Sequence, residues 1–391
     1  MMKSSFFCRF RRKYRKRIPL IIIILVILLL LIAFVVITIL SRICRSKECL
    51  RSAANLALSM DQTADPCNNF YQYVCGNWAS DHPRPDAYQS YDWFRDKQTK
   101  VYTLVRDFLS RNTSNHPKPV QQAKDMYTAC MDTETLDELG LKPIMEVLEI
   151  LGLPSYPTFV NATDNFDYAT YKFDWVETVV KVKTYLGMDV LIGFDIFTDP
   201  KNSSVYRLVM GSPETTNPFP RILFQHAYEE TQSHSESMPP RSLQCANAVN
   251  DMLGMAISYA IADPHFFTVT KPKVRQTKIN YKWMDDNTKL ATYEKIIEMK
   301  TLIGFPDWLL EEGKLEEYYA GIEVYTEKHL MNMITIIQVK MKKALNKFRE
   351  GNNFTWATDP TEVNAYHTFQ ENTITVPMVM LQHPFFDLGL E

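Results

Sequence analysis

Apolar residues recur along most of the chain at intervals of three and four, the spacing of an amphipathic helix. Phe70, Val74 and Trp78 follow Asp65-Pro66 at steps of four. Asp as N-cap followed by Pro at the first helical position predicts that this helix begins at Asp65. The same periodicity predicts further helices over Gln89–Arg111, Val120–Met131, Asp167–Leu186, Leu243–Ile261, Asp286–Ile303 and Thr326–Arg349.

Two stretches depart from the helical period. Asp189–Phe197 and Val205–Met210 are β-rich and flank the turn-forming residues Asp199–Ser203, which predicts a β-hairpin with a five-residue loop. Val363–Met380 also favours β structure. The Pro- and Ser-rich stretch Gly211–Arg241 is the expected linker between two lobes. The predicted fold class is therefore mainly α, with a small β-hairpin and a terminal edge strand.

A long apolar stretch precedes this body. Leu20–Leu40 has 21 residues, of which Thr38 is the only polar one. A helix of this length crosses a hydrocarbon core of about 30 Å. The alternative is a cleaved signal peptide, whose apolar region is shorter and is followed by a small-residue cleavage site. Because Ser41 and Arg42 follow instead, we expect a single-pass transmembrane anchor over residues 18–40.

Charge gives the orientation of that anchor. The whole chain has a formal charge of −2, but residues 1–17 contain eight basic residues and no acidic one, so the remainder carries −10. The basic flank predicts a cytoplasmic tail over 1–17, a juxtamembrane segment over 41–60 and a body over 61–391 outside the cytoplasm. An acidic body excludes nucleic acid as a partner, because phosphate binding needs a basic face. The 46% hydrophobic content excludes a disordered chain.

Glycosylation sequons and cysteines agree with an extracellular body. Sequons at Asn112, Asn161, Asn202 and Asn353 predict a glycoprotein. Six cysteines follow the apolar stretch, and six cysteines allow fifteen disulfide pairings. They are Cys44, Cys49, Cys67, Cys75, Cys130 and Cys245, with Cys8 in the basic tail.

The common signatures of catalysis are absent from the 391 residues. No G-x-S-x-G, Walker loop, H-E-x-x-H or H-x-x-E-H occurs. The nearest group of metal-ligand residues is His226, Glu229, Glu230 and His234, in a Ser- and Pro-rich stretch. A solvated loop is the preferred interpretation of that group, and a metal site is the alternative.

Several motifs together resemble one protein family. They include Cys75-Gly76-Asn77-Trp78, Trp283-Met284-Asp285, Gly304-Phe305-Pro306-Asp307 and Val363-Asn364-Ala365-Tyr366. With Pro384-Phe385-Phe386, they closely resemble the amino-terminal part of neprilysin and the endothelin-converting enzymes. That family consists of type II membrane zinc metalloendopeptidases that cleave small extracellular peptides. The resemblance covers nearly everything after residue 40.

The resemblance implies site residues. Asn364 and Ala365 match the segment with which the family binds substrate backbone, so we expect a substrate contact there; the alternative is that Asn364 only closes a turn after Pro360. It also implies disulfides between Cys44 and Cys49 and between Cys130 and Cys245. Cys67 and Cys75 match cysteines that pair with a part of the family absent from this chain, so both are expected to be unpaired.

Two departures from the family affect the expected activity. Residues 218–242 are short where family members carry a long helical insert, and the chain ends before the family's zinc-binding helix. The family's cofactor is zinc, but none of the three zinc ligands or the H-E-x-x-H and E-x-x-x-D motifs is present. No cofactor and no catalytic residue are therefore expected in this chain, and it should not hydrolyse peptides alone.

Two hypotheses remain for the function. The first is a neprilysin-like metalloendopeptidase sequence, incomplete as it stands, that belongs to zinc-dependent processing of extracellular peptides. The second is a non-catalytic, membrane-anchored ectodomain that binds peptides or regulates a full-length relative. Both place the protein in the plasma membrane with its body outside the cell.

Overall fold

The computed structural model describes residues 25, 27–31, 46–86, 88, 90–113, 115–154, 172–214, 240–262, 283–351, 356 and 358–386. The chain divides into one unit of residues 1–83 and 387–391 and a second unit over Arg84–Phe386. The basic tail and most of the anchor expected over 18–40 lie outside the described residues. Among the residues described, no helix is both long and apolar enough to cross a membrane.

Helices dominate both units, as the periodicity predicts. They are α1 (Lys47–Ser59), α2 (Phe70–Cys75), α3 (Trp78–Asp81), α4 (Trp93–Leu109), α5 (Lys118–Met131), α6 (Thr133–Leu139), α7 (Lys142–Ile150), α8 (Trp175–Lys181), α9 (Arg241–Ala262), α10 (Asp286–Glu298), α11 (Lys314–Tyr318) and α12 (His329–Asn346). The strands are β1 (Gly193–Asp199), β2 (Asn202–Gly211), β3 (Lys300–Gly304), β4 (Tyr366–Thr368) and β5 (Thr373–Pro377).

In the first unit, the second helix begins later than the sequence predicts. Asp65 does not cap a helix; its carboxylate accepts a hydrogen bond from the Cys67 N–H at 2.9 Å and forms a turn. The cap of α2 is Asn69, whose side chain accepts from Gln72 N–H. Trp78 lies on the separate helix α3. Asn77, at its N-cap, donates to the Met60 carbonyl at 2.8 Å and so ties α3 to the end of α1.

The core of the second unit forms where α9 packs against α4 and α5. Small residues on α9, such as Ala246, Ala256 and Ala260, let the neighbouring backbones approach closely. Leucine, valine and methionine side chains of the other helices fill the space above them. The buried residues of this core include Val105, Phe108, Val120, Met126, Met333 and Ile336.

A disulfide and an arginine join α5 to α9. Cys130, near the end of α5, is bonded to Cys245 in the first turn of α9, and their Cα atoms are 5.7 Å apart. Arg241, the first residue of α9, donates two hydrogen bonds to the Cys130 carbonyl, at 3.0 and 2.6 Å. The arginine therefore caps a carbonyl of the last turn of α5 that has no helical partner. This pairing is the one that the family resemblance implies.

The predicted hairpin is present, with a shorter turn. Gly193 pairs with Gly211 and Asp199 with Asn202, so two residues join the strands instead of five. The turn is tight because the Asp199 carboxylate accepts from Lys201 N–H at 2.9 Å and from the Arg207 guanidinium.

A second sheet is only partly predicted. Its order is β3-β5-β4, with β3 parallel and β4 antiparallel to β5. Residues 300–303 were expected to belong to the helix over Asp286–Ile303, but that helix ends at Glu298. Residues 300–304 form a β-strand because pairing with β5 provides hydrogen-bond partners for their backbone N–H and C=O groups. This tertiary pairing outweighs the helical spacing of the local apolar residues.

The expected division into two lobes at Gly211–Arg241 is wrong. Residues on both sides of that stretch belong to the same unit, because α9, which follows it, packs against α4 and α5, which precede it. Most of the stretch lies outside the described residues, as do residues 167–171 of the helix expected over Asp167–Leu186. The rest of that helix is α8, which continues as a π-helix over Val182–Leu186.

Helix α9 is broken in its middle. Leu253 has φ −124° and ψ 37°, outside the helical region. In an unbroken helix, Met255 N–H would donate to the Asp251 carbonyl and Ala256 N–H to the Met252 carbonyl. Instead, both N–H groups donate to the hydroxyl of Tyr319, at 3.1 and 3.3 Å.

The break is completed on its other side by a lysine and an aspartate. Lys340 Nζ, from α12, donates to the Asp251 carbonyl at 2.9 Å. Asp359 lies directly over Gly254, where an added Cβ would come within 2.2 Å of the Asp359 carboxylate. Glycine is therefore required at residue 254 for space.

Replacing the buried tyrosine hydroxyl should destabilise the protein. Tyr319→Phe leaves two buried N–H groups without an acceptor, so we expect the free energy of unfolding to fall by about 2 kcal/mol. Tyr318→Phe is the matched control, because Tyr318 is 37% exposed. We expect this substitution to change the free energy of unfolding by less than about 0.5 kcal/mol. Urea denaturation followed by circular dichroism measures both. Equal effects of the two substitutions would contradict the role of Tyr319.

Candidate functional site

A cleft of about 560 Å³ lies at the break in α9. One wall is the start of α4, the second is the break itself, and the third is the segment 359–364 that leads to β4. Polar and charged residues dominate its lining, which is Ser90, Asp92, Phe94, Arg95, Gln98, Tyr102, Asn250, Asp251, Asp359, Glu362, Val363 and Asn364.

Helix α4 fixes the first wall. Asp92 is its N-cap and accepts from the Arg95 N–H at 2.8 Å. The guanidinium of Arg95 lies over the ring of Tyr88, 5.1 Å from its centroid. Gln98, one turn further along, accepts from the Val363 N–H at 2.9 Å. That bond holds the third wall against α4.

Asp251 and Asp359 give the cleft its electrostatic character. Asp251 has open surface toward the cleft, but the dense protein around it raises the pKa of its carboxyl to about 6. The negative charges of Asp359 and Glu362 also raise this pKa, whereas the positive charge of Lys340 lowers it. Burial likewise raises the pKa of Asp359, again opposed by Lys340.

Glu362 is held more tightly than the two aspartates. Its two carboxylate oxygens accept hydrogen bonds from the hydroxyls of Thr358 and Tyr366. Its backbone N–H donates to the Asp359 carbonyl at 3.0 Å. The segment 358–366 is therefore a self-bonded turn that presents Asp359 toward the break.

Two polar atoms on the cleft have no hydrogen-bond partner. Asn250 is only 4% exposed, and its Oδ1 accepts nothing. The Nε2 group of Gln98 donates to nothing. Because an unpaired buried polar atom costs free energy, such atoms commonly mark a place that a ligand fills.

Asn364 lines the cleft, and Ala365 follows it; both are exposed and directly precede β4. Asn364 Oδ1 accepts from the Ala365 N–H at 2.9 Å, and its Nδ2 donates to the Tyr366 hydroxyl at 3.2 Å. The Asn364 side chain therefore makes its hydrogen bonds within its own segment. Each of its polar atoms can still make one further hydrogen bond.

The remaining predicted modification sites lie away from the cleft. Asn112 and Asn202 are exposed, whereas Asn161 and Asn353 lie outside the described residues. Cys67 is exposed and Cys75 is half-buried, and neither forms a disulfide. Cys49 is disulfide-bonded, but Cys44, its expected partner, is not among the described residues.

The described residues do not fit a zinc site. Within the described ranges, no group of three or more His, Cys, Asp or Glu residues is placed to hold a metal ion. The group of His226, Glu229, Glu230 and His234 lies outside those ranges. His329 is buried, and burial together with the charge of Arg241 lowers its pKa to about 4.

The sequence did not reveal the acidic cleft. Asp251 is more than a hundred residues before Asp359 and Glu362, and no motif joins the three. The one local signal was Gly254 inside a helical period, since an isolated glycine there often has a packing reason.

Comparison with known proteins identifies relatives over most of the chain. Residues 66–232 match the family model described as Peptidase family M13. An endothelin-converting enzyme homolog of Locusta migratoria is 22% identical over 506 positions, which cover 88% of this chain and 69% of the locust protein. That alignment is longer than this chain, so it contains gaps here. Mouse neprilysin is 30% identical over 174 residues, covering 44% of this chain.

Solved structures share the fold. The zinc metalloprotease ZMP1 of Mycobacterium tuberculosis matches with a TM-score of 0.64 at 14% identity, over 86% of this chain and 71% of that one. PepO of Lactobacillus rhamnosis matches with a TM-score of 0.59 at 11% identity, over 84% and 73%. The chain spans only 22% of mouse neprilysin in the matched region. Together these matches confirm the resemblance to the neprilysin and endothelin-converting enzyme family.

Removing the charge of Asp251 should stabilise the protein at neutral pH. Its folded pKa of about 6 exceeds the ordinary value of 3.8, so the folded state binds more protons than the unfolded state between these pH values. Stability therefore falls as pH rises through that window. We expect Asp251→Asn to raise the melting temperature by about 2 °C at pH 7.5, and the gain to shrink toward pH 4.

Calorimetry at the two pH values measures this difference. Glu312→Gln is the control, because Glu312 is exposed and lies away from the cleft. A melting temperature of Asp251→Asn at or below that of the unmodified protein at pH 7.5 would disprove the assignment.

Proposed function

Because the chain is a relative of the neprilysin and endothelin-converting enzyme family, we propose that it forms the amino-terminal, peptide-binding part of a neprilysin-like peptidase. The observation that carries this proposal is the position of β4. In the order β3-β5-β4, this strand is at the edge of its sheet, and Asn364 and Ala365 lead into it.

An edge strand is suited to binding an extended peptide. Its outer N–H and C=O groups can pair with a peptide backbone in the manner of an added strand. Asn364 also lines the cleft, so a peptide that pairs with β4 passes the cleft mouth. The sheet then supplies backbone hydrogen bonds and the cleft receives a side chain.

We also propose that this chain does not hydrolyse the peptides it binds. A catalytic zinc needs three protein ligands and a general base. The 391 residues contain no H-E-x-x-H, and the cleft lining has two asparagines, four carboxylates and no histidine. Its residues are suited to holding a peptide.

Membrane anchoring is the last part of the proposal. The apolar stretch Leu20–Leu40 and the basic residues before it support a type II topology with the body outside the cell. A relative of 28% identity over 186 residues is named membrane metallo-endopeptidase-like 1, from mouse. Exposure of the sequon residues Asn112 and Asn202 is compatible with glycosylation of that face.

Peptide binding can be tested at Asn364. Fluorescence polarisation of a labelled extended peptide should show binding to the full chain in a non-ionic detergent. Asn364→Ala removes one side-chain contact to the peptide backbone, so we expect binding about fivefold weaker. Asn346→Ala, the same change at an exposed residue at the end of α12, should bind as the unmodified chain does.

The same samples test hydrolysis. Mass spectrometry after incubation with zinc should recover the peptide intact. Cleavage that a chelator abolishes would contradict the proposed lack of activity, and equal binding by both asparagine variants would contradict the role of β4.

Topology is tested by synthesis in the presence of microsomes. We expect the body to be protected from added protease and to shift in mobility after glycosidase treatment. Asn202→Gln should remove one glycan from the protected product. Digestion of the body by external protease, with the basic tail protected, would reverse the proposed orientation.

A further inference from the structure

The cleft at the break in α9 has more acidic than basic side chains. Of its described lining residues, Asp92, Asp251, Asp359 and Glu362 are acidic and Arg95 alone is basic. Lys340 is close enough to lower the pKa of Asp251 and Asp359. Even with Lys340 included, acidic groups outnumber basic ones by four to two.

The four carboxylates differ in how many hydrogen bonds and ion pairs they already form with other residues. Asp92 caps α4, and both oxygens of Glu362 accept from hydroxyls. Among the described residues, Asp251 and Asp359 form no ion pair within 4.0 Å, because Lys340 Nζ donates to the backbone carbonyl of Asp251 and not to a carboxylate. Asp251 accepts a hydrogen bond from the Asn250 side chain, and a carboxylate has further acceptor positions. Both carboxylates are therefore available to a ligand.

A second observation points to a ligand at the same place. Asn250 precedes Asp251, lines the cleft and is 96% buried, yet its Oδ1 has no hydrogen-bond donor. The break therefore presents two carboxylates and one amide oxygen, all acceptors. A group with several N–H donors and a positive charge would satisfy the three together.

We propose that this cleft binds the basic side chain of a peptide, with Asp251 and Asp359 supplying charge and Asn250 Oδ1 a hydrogen-bond acceptor. The inference rests on the proposed function of peptide binding and names the class of peptide. Arginine is the best match, because its planar guanidinium carries five donors. The unpaired Nε2 of Gln98 is then available to a carbonyl oxygen of the same peptide.

An inorganic cation fits this cleft less well. Hard cations such as Ca²⁺ need six to eight oxygen ligands in a close shell, and in the described part of the chain no group of acidic and histidine residues has that arrangement. A guanidinium instead needs acceptors spread around a plane. The carboxylates of Asp251 and Asp359 offset the repulsion between its positive charge and that of Lys340.

The test compares two peptides that differ in one charge. The first is a labelled extended peptide with a central arginine, and the second carries citrulline, which keeps the shape and replaces the guanidinium by a neutral urea. Fluorescence polarisation with the full chain should show the arginine peptide binding about tenfold more tightly, the loss expected for one charge-assisted hydrogen bond. This comparison does not alter the protein.

Variants then locate the preference. Asp251→Asn and Asp359→Asn should each reduce the preference to about threefold or less, while Glu312→Gln should keep it. Their melting temperatures serve as the folding control, since raised pKa values at both aspartates mean that neutral replacements are tolerated.

The outcomes separate the two proposals. Equal binding of both peptides, or a preference that both aspartate variants retain, overturns the inference and leaves peptide binding at β4 intact. Binding of neither peptide overturns the proposed function, and the inference with it. An arginine preference that only the aspartate variants lose supports the inference.

Discussion

The cleft depends on the hydrogen bonds that replace the helical ones at the break in α9. Tyr319 Oη accepts hydrogen bonds from the N–H groups of Met255 and Ala256, and Lys340 Nζ donates one to the Asp251 carbonyl. These replacements come from the end of α11 and from α12, so the break also ties three helices together. Without them, two buried N–H groups and a carbonyl would be left unpaired, at a cost that the helix could avoid only by straightening. A straight α9 would not present Asn250 and Asp251 as it does now.

The same break explains why two carboxylates are held where ionisation is unfavourable. Asp359 fits over α9 only because Gly254 has no side chain, and Asp251 belongs to the broken turn itself. Burial raises the pKa of both groups, and the charge of Glu362 raises both further, so the protein gives up stability at neutral pH to keep them charged. Perturbed carboxyl groups of this kind concentrate at functional sites. Lys340 moderates their repulsion without forming a close ion pair with either.

Most of the helices were predictable from the sequence, because a helix is specified by residues close together in the chain. The period of apolar positions located α4, α5, α9 and α12 to within a few residues. The strand β3 was missed because its stability comes from pairing with β5, some seventy residues later. The break in α9 was missed for the same reason: its stabilising hydroxyl is on Tyr319. Asn364 and Ala365 were found only through resemblance to a family, since no local physical pattern distinguishes them from an ordinary turn.

The edge strand and the cleft would have complementary roles in recognising a peptide. Backbone pairing with β4 is nearly independent of sequence, so it gives affinity and orientation without selecting one peptide over another. Selection requires groups whose burial beside the wrong side chain is energetically unfavourable. Asp251 and Asp359 are such groups, because a neutral or apolar side chain in the cleft would exclude water from both carboxylates without supplying donors to them. A peptide that pairs with β4 but lacks a donor at the right position would therefore incur the cost of desolvating two carboxylates, and that penalty is what turns a general peptide-binding edge into a selective one.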